Sequence, residues 1–121
     1  MAVFKPFKAL RPIPELASKI AALPYDVMNS EEAKEMVKNN PYSFLHVDKA
    51  EIDLPCCTDI YCDEVYCKAA ENLKCSEENG YCKTDEAPCF YIYRQIMNGR
   101  AQTGIVGCAD VDDYINNHIK K

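Results

Sequence analysis

The sequence lacks the glycine-rich loops that hold nucleotide phosphates in many enzymes, and it has only four glycines in 121 residues. Neither a Gly-x-x-x-x-Gly-Lys-Ser loop nor a Gly-x-Gly-x-x-Gly pattern occurs in it. It also lacks long apolar runs, since the longest are a few residues, such as Ile20–Leu23. A membrane-spanning helix needs about 20 apolar residues. These absences exclude both nucleotide-binding fingerprints, and we expect no membrane partner.

An excess of positive charge is missing too. The chain has 14 Lys and Arg against 19 Asp and Glu, which gives a net charge of −5. General nucleic-acid binders are usually basic, so DNA is not an expected partner, although the segment before Leu23 has a small basic excess. Apolar residues make up 48% and charged residues 27%, as in globular proteins. The length fits one domain, so we expect 1–121 to fold as one.

The eight cysteines include no Cys-x-x-Cys pair, and neither histidine lies near them in the sequence. We therefore predict no metal site; a structural zinc or iron–sulfur site is the less favoured alternative. The N-terminus has neither the apolar stretch nor the small-residue cleavage site of a signal peptide. This predicts a cytoplasmic, cysteine-rich protein whose thiols stay free in a reducing compartment.

Three of the cysteines lie on or beside one predicted helix, from Asp63 to about Glu77. Cys62 joins its apolar face and is expected in the core, whereas Cys67 and Cys75 fall on its polar side. Exposed free thiols are prone to oxidation, so they fit a strongly reducing or anaerobic cytosol. Helical spacing defines the apolar face, which comprises Val65, Tyr66, Ala69 and Leu73.

The remaining pattern predicts short strands and helices. In the N-terminal half we expect an edge strand over Phe4–Leu10, a helix from Pro14 to Leu23, and a strand over Tyr42–Val47 that is buried on both faces. Asn29 and Glu32 have the spacing of a capping box at the start of another helix.

Nearer the C-terminus, Asn98-Gly99 between two β-rich runs predicts a hairpin with a type I′ turn. A short helix follows over Val111–Ile115. The fold class is therefore α/β (α+β), with a small mixed β-sheet, a C-terminal β-hairpin and three to four packed helices.

Several stretches, in this order and spacing, resemble the N-terminal part of a bacterial and archaeal family known as domain of unknown function one-thousand-fifteen. They cover nearly the whole chain and are Lys5–Pro12 (KPFKALRP), Leu23–Val27 (LPYDV), Asn40–Val47 (NPYSFLHV), Tyr91–Arg94 (YIYR) and Gln102–Ile105 (QTGI).

The resemblance to this family has implications for the length of the protein and for its ligand. Family members are longer and continue into a His-Glu-x-Thr motif absent here, so we expect an N-terminal fragment or truncated product whose C-terminal part is missing. Relatives are often labelled ParB-like, and their superfamily includes a nucleotide-dependent free-serine kinase. The resemblance therefore implies a site for a nucleotide with magnesium, or for a small phosphorylated metabolite.

Four residues are candidate ligand-binding residues. Arg11 lies between a strand and a helix, where its guanidinium would bind phosphate, or would merely pair with Glu15. The helix start at Asn29 offers free backbone N–H groups, and Ser30 adds a hydroxyl; the alternative is an ordinary helix cap. Tyr25 precedes the candidate catalytic residue Asp26 between a proline and this helix.

The candidate catalytic residues are Asp26 and His46. Asp26 would act as a base or bind a metal–phosphate, or would form an Asx turn. His46 would act as a general base, or would be a satisfied core histidine. In a regular strand Ser43 and His46 point to opposite faces, so they would not line one cavity unless the strand bends.

Weaker candidates follow. Glu51 and Asp53 would bind magnesium or be solvated loop acids. Arg94, Gln102 and Thr103 would bind a ligand or be cross-strand partners in the hairpin.

Three functions stay open. The first is part of a kinase-like enzyme, in which Arg11 and the Asn29 helix start hold phosphate and Asp26 or Glu51 holds metal or acts as base. The second is a non-catalytic ParB-like binding or regulatory module, and the third is a truncated, silent fragment.

Overall fold

Short helices and strands alternate along the chain, which confirms the predicted α/β class. The structure is a computed structural model and describes residues 2–55 and 59–119. Its α-helices are α1 (Ala17–Ile20), α2 (Ser30–Val37), α3 (Leu45–Asp48), α4 (Asp63–Glu78) and α5 (Val111–Ile115). Its strands are β1 (Phe4–Lys5), β2 (Leu10–Pro12), β3 (Cys82–Thr84), β4 (Tyr91–Met97), β5 (Arg100–Val106) and β6 (Cys108–Ala109).

The described strands form two-stranded sheets that pair β1 with β6, β2 with β3, and β4 with β5. The chain divides into two compact units, one formed by Arg11–Lys83 and the other by the residues up to Leu10 together with those from Thr84 onwards. A single domain over 1–121 stays a prediction. None of the described helices combines the length and the apolar character that crossing a membrane requires.

Local sequence signals explain the elements that were predicted correctly. The Asn29 side chain accepts a hydrogen bond from the Glu32 backbone at 2.9 Å, and the Glu32 carboxylate accepts one from the Asn29 backbone at 2.9 Å. This is the predicted capping box of α2. Helix α4 begins at Asp63 as expected, and the chain leaves it through Gly80, whose φ of +71° is the left-handed conformation that glycine adopts readily.

The predicted strand over Tyr42–Val47 is wrong, because this segment forms helix α3 instead. A six-residue segment that is only partly apolar has too few residues to reveal its period. The Ser43 hydroxyl accepts a hydrogen bond from the Leu45 backbone at 3.3 Å and so starts the helical turn. Leu45 is then 1% exposed in the core, and this burial outweighs the weak strand preference of the run. Helix α1 is also shorter than the predicted Pro14–Leu23.

The core of the Arg11–Lys83 unit lies where α2, α3 and a 3₁₀ turn over Ala50–Asp53 meet. Its buried side chains are Ala33, Val37, Leu45 and Ile52, with Met28 packed against them. Burying side chains of this size stabilises a fold by about 1.5–3 kcal/mol each. This small core therefore fixes α3 and the 3₁₀ turn relative to each other.

The other unit is built around Tyr91, at the start of the hairpin. The Tyr91 hydroxyl accepts a hydrogen bond from the Ala9 backbone at 2.9 Å and donates to the Asp85 carboxylate. Burial first, and then this bond to Asp85, raises the pKa of Tyr91. Its ring also packs on Phe7, with centroids 5.2 Å apart. One tyrosine thus ties the N-terminal segment to the hairpin.

The hairpin itself follows the prediction. Asn98 and Gly99 have φ of 51° and 76°, the two positive values that a type I′ turn requires. Strands β4 and β5 pair antiparallel from Tyr91 opposite Val106 to Met97 opposite Arg100. Helix α5 matches the predicted bounds and is capped by Asp110, which accepts a hydrogen bond from the Asp112 backbone at 2.9 Å.

Candidate functional site

A cavity of about 260 Å³ lies within the Arg11–Lys83 unit, and one predicted catalytic residue, His46, lines it. Helix α3 contributes His46, the 3₁₀ turn after it contributes Asp53, and α4 contributes Asn72 and Cys75. The lining residues are Ile20, Pro41, Tyr42, Ser43, Phe44, His46, Val47, Asp53, Asn72, Cys75, Ser76, Tyr81 and Cys82.

His46, Asp53 and Asn72 form a connected polar cluster on the cavity wall. His46 Nδ1 lies 2.9 Å from both carboxylate oxygens of Asp53. Asn72 Nδ2 donates to Asp53 Oδ2 at 2.9 Å and to the His46 backbone carbonyl at 2.7 Å. The side chains of His46 and Asp53 are only 20% and 25% exposed. Asn72 therefore holds the carboxylate and the segment that carries the imidazole together.

Both ring nitrogens of His46 face hydrogen-bond acceptors. Nδ1 faces the Asp53 carboxylate and Nε2 lies 3.3 Å from the Asn40 carbonyl, and both of these groups only accept hydrogen bonds. Both bonds form together only when the ring carries two protons. With one proton, placed on Nδ1, the ring keeps its bond to Asp53, and the Nε2 lone pair faces the Asn40 carbonyl oxygen. A carboxylate that orients a histidine in this way prepares it to accept a proton at Nε2 from a ligand hydroxyl that takes the place of that carbonyl.

Ser43 and His46 line the same cavity, which corrects the prediction that a regular strand would separate them. Residues three apart lie on the same side of a helical turn, whereas they lie on opposite faces of a strand. Ser43 is 6% exposed, and its hydroxyl accepts the hydrogen bond from the Leu45 backbone at the start of α3. It therefore supports the site by fixing the turn that carries His46.

Aromatic rings form another wall of the cavity. The rings of Tyr42 and Tyr81 meet edge to face with their centroids 5.0 Å apart. The Lys19 ammonium lies 5.6 Å from the centroid of the Tyr42 ring and adds positive charge beside it. Phe44 lines the cavity as well. This wall suits a planar or apolar group better than a bare anion.

Glu51 and Asp53, the weaker candidates for binding magnesium, have different partners, and their role as metal ligands stays a prediction. Asp53 contacts His46, whereas Glu51 accepts a hydrogen bond from the Ser30 hydroxyl at 2.7 Å and pairs with Lys49 at 3.2 Å. Burial acts to raise the pKa of Glu51, but the bonds from Ser30 and Lys49 outweigh it and hold that pKa below its ordinary value. Among the described residues, no three His, Cys, Asp or Glu side chains form a group that could hold a metal ion.

The other predicted site residues lie elsewhere. Arg11 is exposed in β2, and Tyr25 and Asp26 are exposed in a 3₁₀ turn over Tyr25–Val27. Asn29 uses its side chain in the capping box. None of these four is among the described residues that line the His46 cavity. Their ligand and catalytic roles stay predictions.

The hairpin candidates are cross-strand neighbours, as one of the two interpretations expects. Arg94 lies opposite Thr103, and Gln102 lies opposite Gln95. Their role in ligand binding stays a prediction.

Asn72 is the member of the cluster that sequence reasoning missed. Asparagine is unfavourable inside a helix, because its side chain competes for backbone hydrogen bonds. An Asn in the middle of a 16-residue helix was therefore a signal that its amide has a specific partner. Cys75, one helical turn away, also lines the cavity, and its Sγ accepts a hydrogen bond from Asn79 at 3.1 Å.

The fold and the site together define a mixed α/β protein whose cavity contains a histidine paired with a carboxylate. The chain belongs to the family described as Protein of unknown function (DUF1015), whose model matches residues 4–121. This confirms the resemblance found in the sequence. No curated protein and no solved structure matches the chain.

Proposed function

We propose that the chain is the ligand-binding part of a cytoplasmic, kinase-like enzyme and that it holds the nucleoside portion of a nucleotide in the His46 cavity. The observation that carries the proposal is the imidazole of His46, oriented by Asp53 and Asn72 on the wall of a cavity with aromatic sides. A planar base packs well against tyrosine and phenylalanine rings. Polar groups at one end of such a cavity fix the orientation of a ligand.

His46 has the chemistry that phosphoryl transfer needs from a base. Such reactions are catalysed mainly by positioning and charge stabilisation, with one group accepting the proton of the attacking hydroxyl. Asp53 keeps a proton on Nδ1, so Nε2 is the nitrogen that accepts once the ligand hydroxyl replaces the Asn40 carbonyl beside it. The same carboxylate disfavours a phosphate inside the cavity. We therefore place the phosphates at the mouth of the cavity, on the side where Lys19 adds positive charge, with the attacking hydroxyl between them and His46 Nε2.

Magnesium, if the enzyme uses it, would be held chiefly by the phosphates. Mg²⁺ keeps several waters and is bound through one or two carboxylates plus substrate phosphates. Asp26, which is exposed in its 3₁₀ turn, is the carboxylate we propose for this role or for a second base.

Isothermal titration with ATP, ADP and CTP in magnesium, and with adenosine and cytidine, tests the proposal. We expect heat with at least one nucleotide and weaker heat with its nucleoside. His46→Ala should weaken that binding by at least about tenfold, or 1.4 kcal/mol. His118→Ala is the matched control, because His118 also pairs with a carboxylate, that of Asp113, but does not line the cavity.

Two results would contradict the proposal. One is the absence of heat with all five compounds at millimolar concentration. The other is equal affinity of the His46→Ala and His118→Ala variants, when thermal unfolding shows that both are folded.

A further inference from the structure

The β4–β5 hairpin has large apolar side chains on a face that no other part of the described chain covers. The register pairs Ile92 with Ile105 and Ile96 with Ala101, and alternation along each strand puts these four side chains on the same face. We call them the isoleucine face. Ile92, Ile96 and Ile105 are 79%, 69% and 72% exposed. Large apolar side chains grouped on one exposed face mark interaction surfaces in folded proteins.

The β4–β5 hairpin has no third strand paired with it among the described residues. Within residues 2–55 and 59–119, β4 and β5 pair only with each other. A two-stranded hairpin is marginally stable in water unless another element packs on it. A partner that covered the isoleucine face would therefore supply the missing layer.

Charge identifies the kind of partner. Arg94 and Arg100 are the charged residues between Cys89 and Ala109, in a chain whose net charge is −5. Arg94 lies on the isoleucine face, opposite Thr103 and between the two apolar pairs. Neither arginine forms an ion pair with another described residue. The local charge favours an acidic partner and disfavours hairpin-on-hairpin self-association, which would bring arginines together.

The dimensions of the face indicate the partner's conformation. Two strands about 4.8 Å apart make a face about 10 Å wide, which is close to the diameter of one α-helix. Each strand has seven residues and so extends about 23 Å, the length of a helix of about 15 residues. We propose that the isoleucine face binds an acidic amphipathic helix of a partner protein, with Arg94 contacting its carboxylates.

A designed peptide pair tests this with the full chain. The probe is a fluorescent helical peptide of about 15 residues with Leu at i, i+3, i+4 and i+7 positions and Glu on its flanks. The matched peptide has Lys in place of every Glu. Fluorescence anisotropy should show the acidic peptide binding at least about tenfold more tightly, and Arg94→Glu should reverse this preference.

Ile96→Asp should weaken binding of the acidic peptide by at least about tenfold. Val27→Asp is the matched control, because Val27 is 62% exposed but lies outside the hairpin; its affinity should stay within about twofold of the parent chain. Ile105→Asp repeats the test on the other strand, and amide spectra of β4 and β5 verify that each variant keeps the hairpin.

Several results would overturn the proposal. Equal affinity for the two peptides would show that Arg94 does not select an acidic partner. If neither peptide binds, the isoleucine face is not a binding site for an amphipathic helix. A dimer in sedimentation equilibrium that Ile96→Asp dissociates would make a second copy the occupant. Chemical-shift changes at the outer backbone amides of β4 or β5, without changes at the Ile92, Ile96 and Ile105 methyl groups, would show strand addition instead.

Discussion

At the scale of single residues, Glu51 is held by hydrogen bonds that exist only in the folded chain. Its side chain is 10% exposed and is bonded to Ser30 and paired with Lys49. These partners hold the folded-state pKa of Glu51 below its ordinary value of 4.5. A lowered carboxyl pKa stabilises the fold above the unfolded pKa, and this contribution disappears as the pH falls through the folded pKa.

Glu51→Gln should therefore lower the free energy of unfolding by about 1 kcal/mol at pH 7, because a neutral amide replaces a charged acceptor. The difference between variant and parent should shrink as the pH falls below about 4.5. Urea unfolding between pH 7 and pH 3 measures it. Glu15→Gln is the control, since Glu15 is exposed. If the two variants show the same pH dependence, the Ser30–Glu51–Lys49 contacts do not stabilise the fold.

At the scale of elements, the β4–β5 hairpin requires a glycine at Gly99 in its turn but tolerates a side chain at Gly104 in β5. Gly99 has φ of +76°, where an alanine costs about 1–2 kcal/mol. Gly104 lies in β5 at an ordinary φ, and a Cβ there would meet nothing within 4 Å. Gly99→Ala should speed amide hydrogen exchange in β4 and β5 by about five- to thirtyfold, whereas Gly104→Ala should leave it nearly unchanged. Faster exchange in Gly104→Ala than in Gly99→Ala would contradict the assignment of the turn.

The elements that were predictable have signals close together in the sequence. The Asn98-Gly99 turn, the Asn29–Glu32 capping box and the helical period of α4 each depend on neighbouring residues. Helix α3 was not predictable, because burial of Leu45 in a core assembled from other segments decides its conformation.

In the candidate site, too, one part was predictable from the local sequence and another depends on tertiary packing. His46 was selected from the sequence, but its hydrogen-bonded cluster joins residues 7 and 26 positions away. The sequence pattern indicates Asp53 only as a metal ligand and does not indicate Asn72. Such contacts follow from the packing of α3 against α4, which no local pattern encodes.

At the scale of the whole molecule, the cysteines differ in accessibility. Cys67, Cys75, Cys89 and Cys108 are free and exposed, whereas Cys82 is buried and Cys62 is half-buried. The predicted exposure of Cys67 and Cys75 is thereby confirmed. A hydrogen bond with Glu64, and then burial, raises the pKa of the Cys62 thiol, which reduces its reactive thiolate fraction. Cys56 and Cys57 lie outside the described residues.

Among the described cysteines, residue-resolved alkylation by iodoacetamide, followed by mass spectrometry, should therefore modify the four exposed thiols first, Cys62 more slowly and Cys82 last. Urea should remove these differences, and this denatured sample is the control. Fewer than two reactive thiols in the native protein would contradict both the exposure of these cysteines and the inference of a reducing habitat.

The division of the chain between the two units has a consequence for biosynthesis. The Arg11–Lys83 unit is continuous, whereas β1 pairs with β6 near the opposite end of the chain. At about 5–20 residues per second, the ribosome delivers Thr84 roughly 4 to 15 s after Leu10. β1 thus leaves the exit tunnel before the Arg11–Lys83 unit but gains its partner β6 only after that unit has been synthesised. Nascent β1 stays unpaired during that interval, while the His46 cavity can assemble before it.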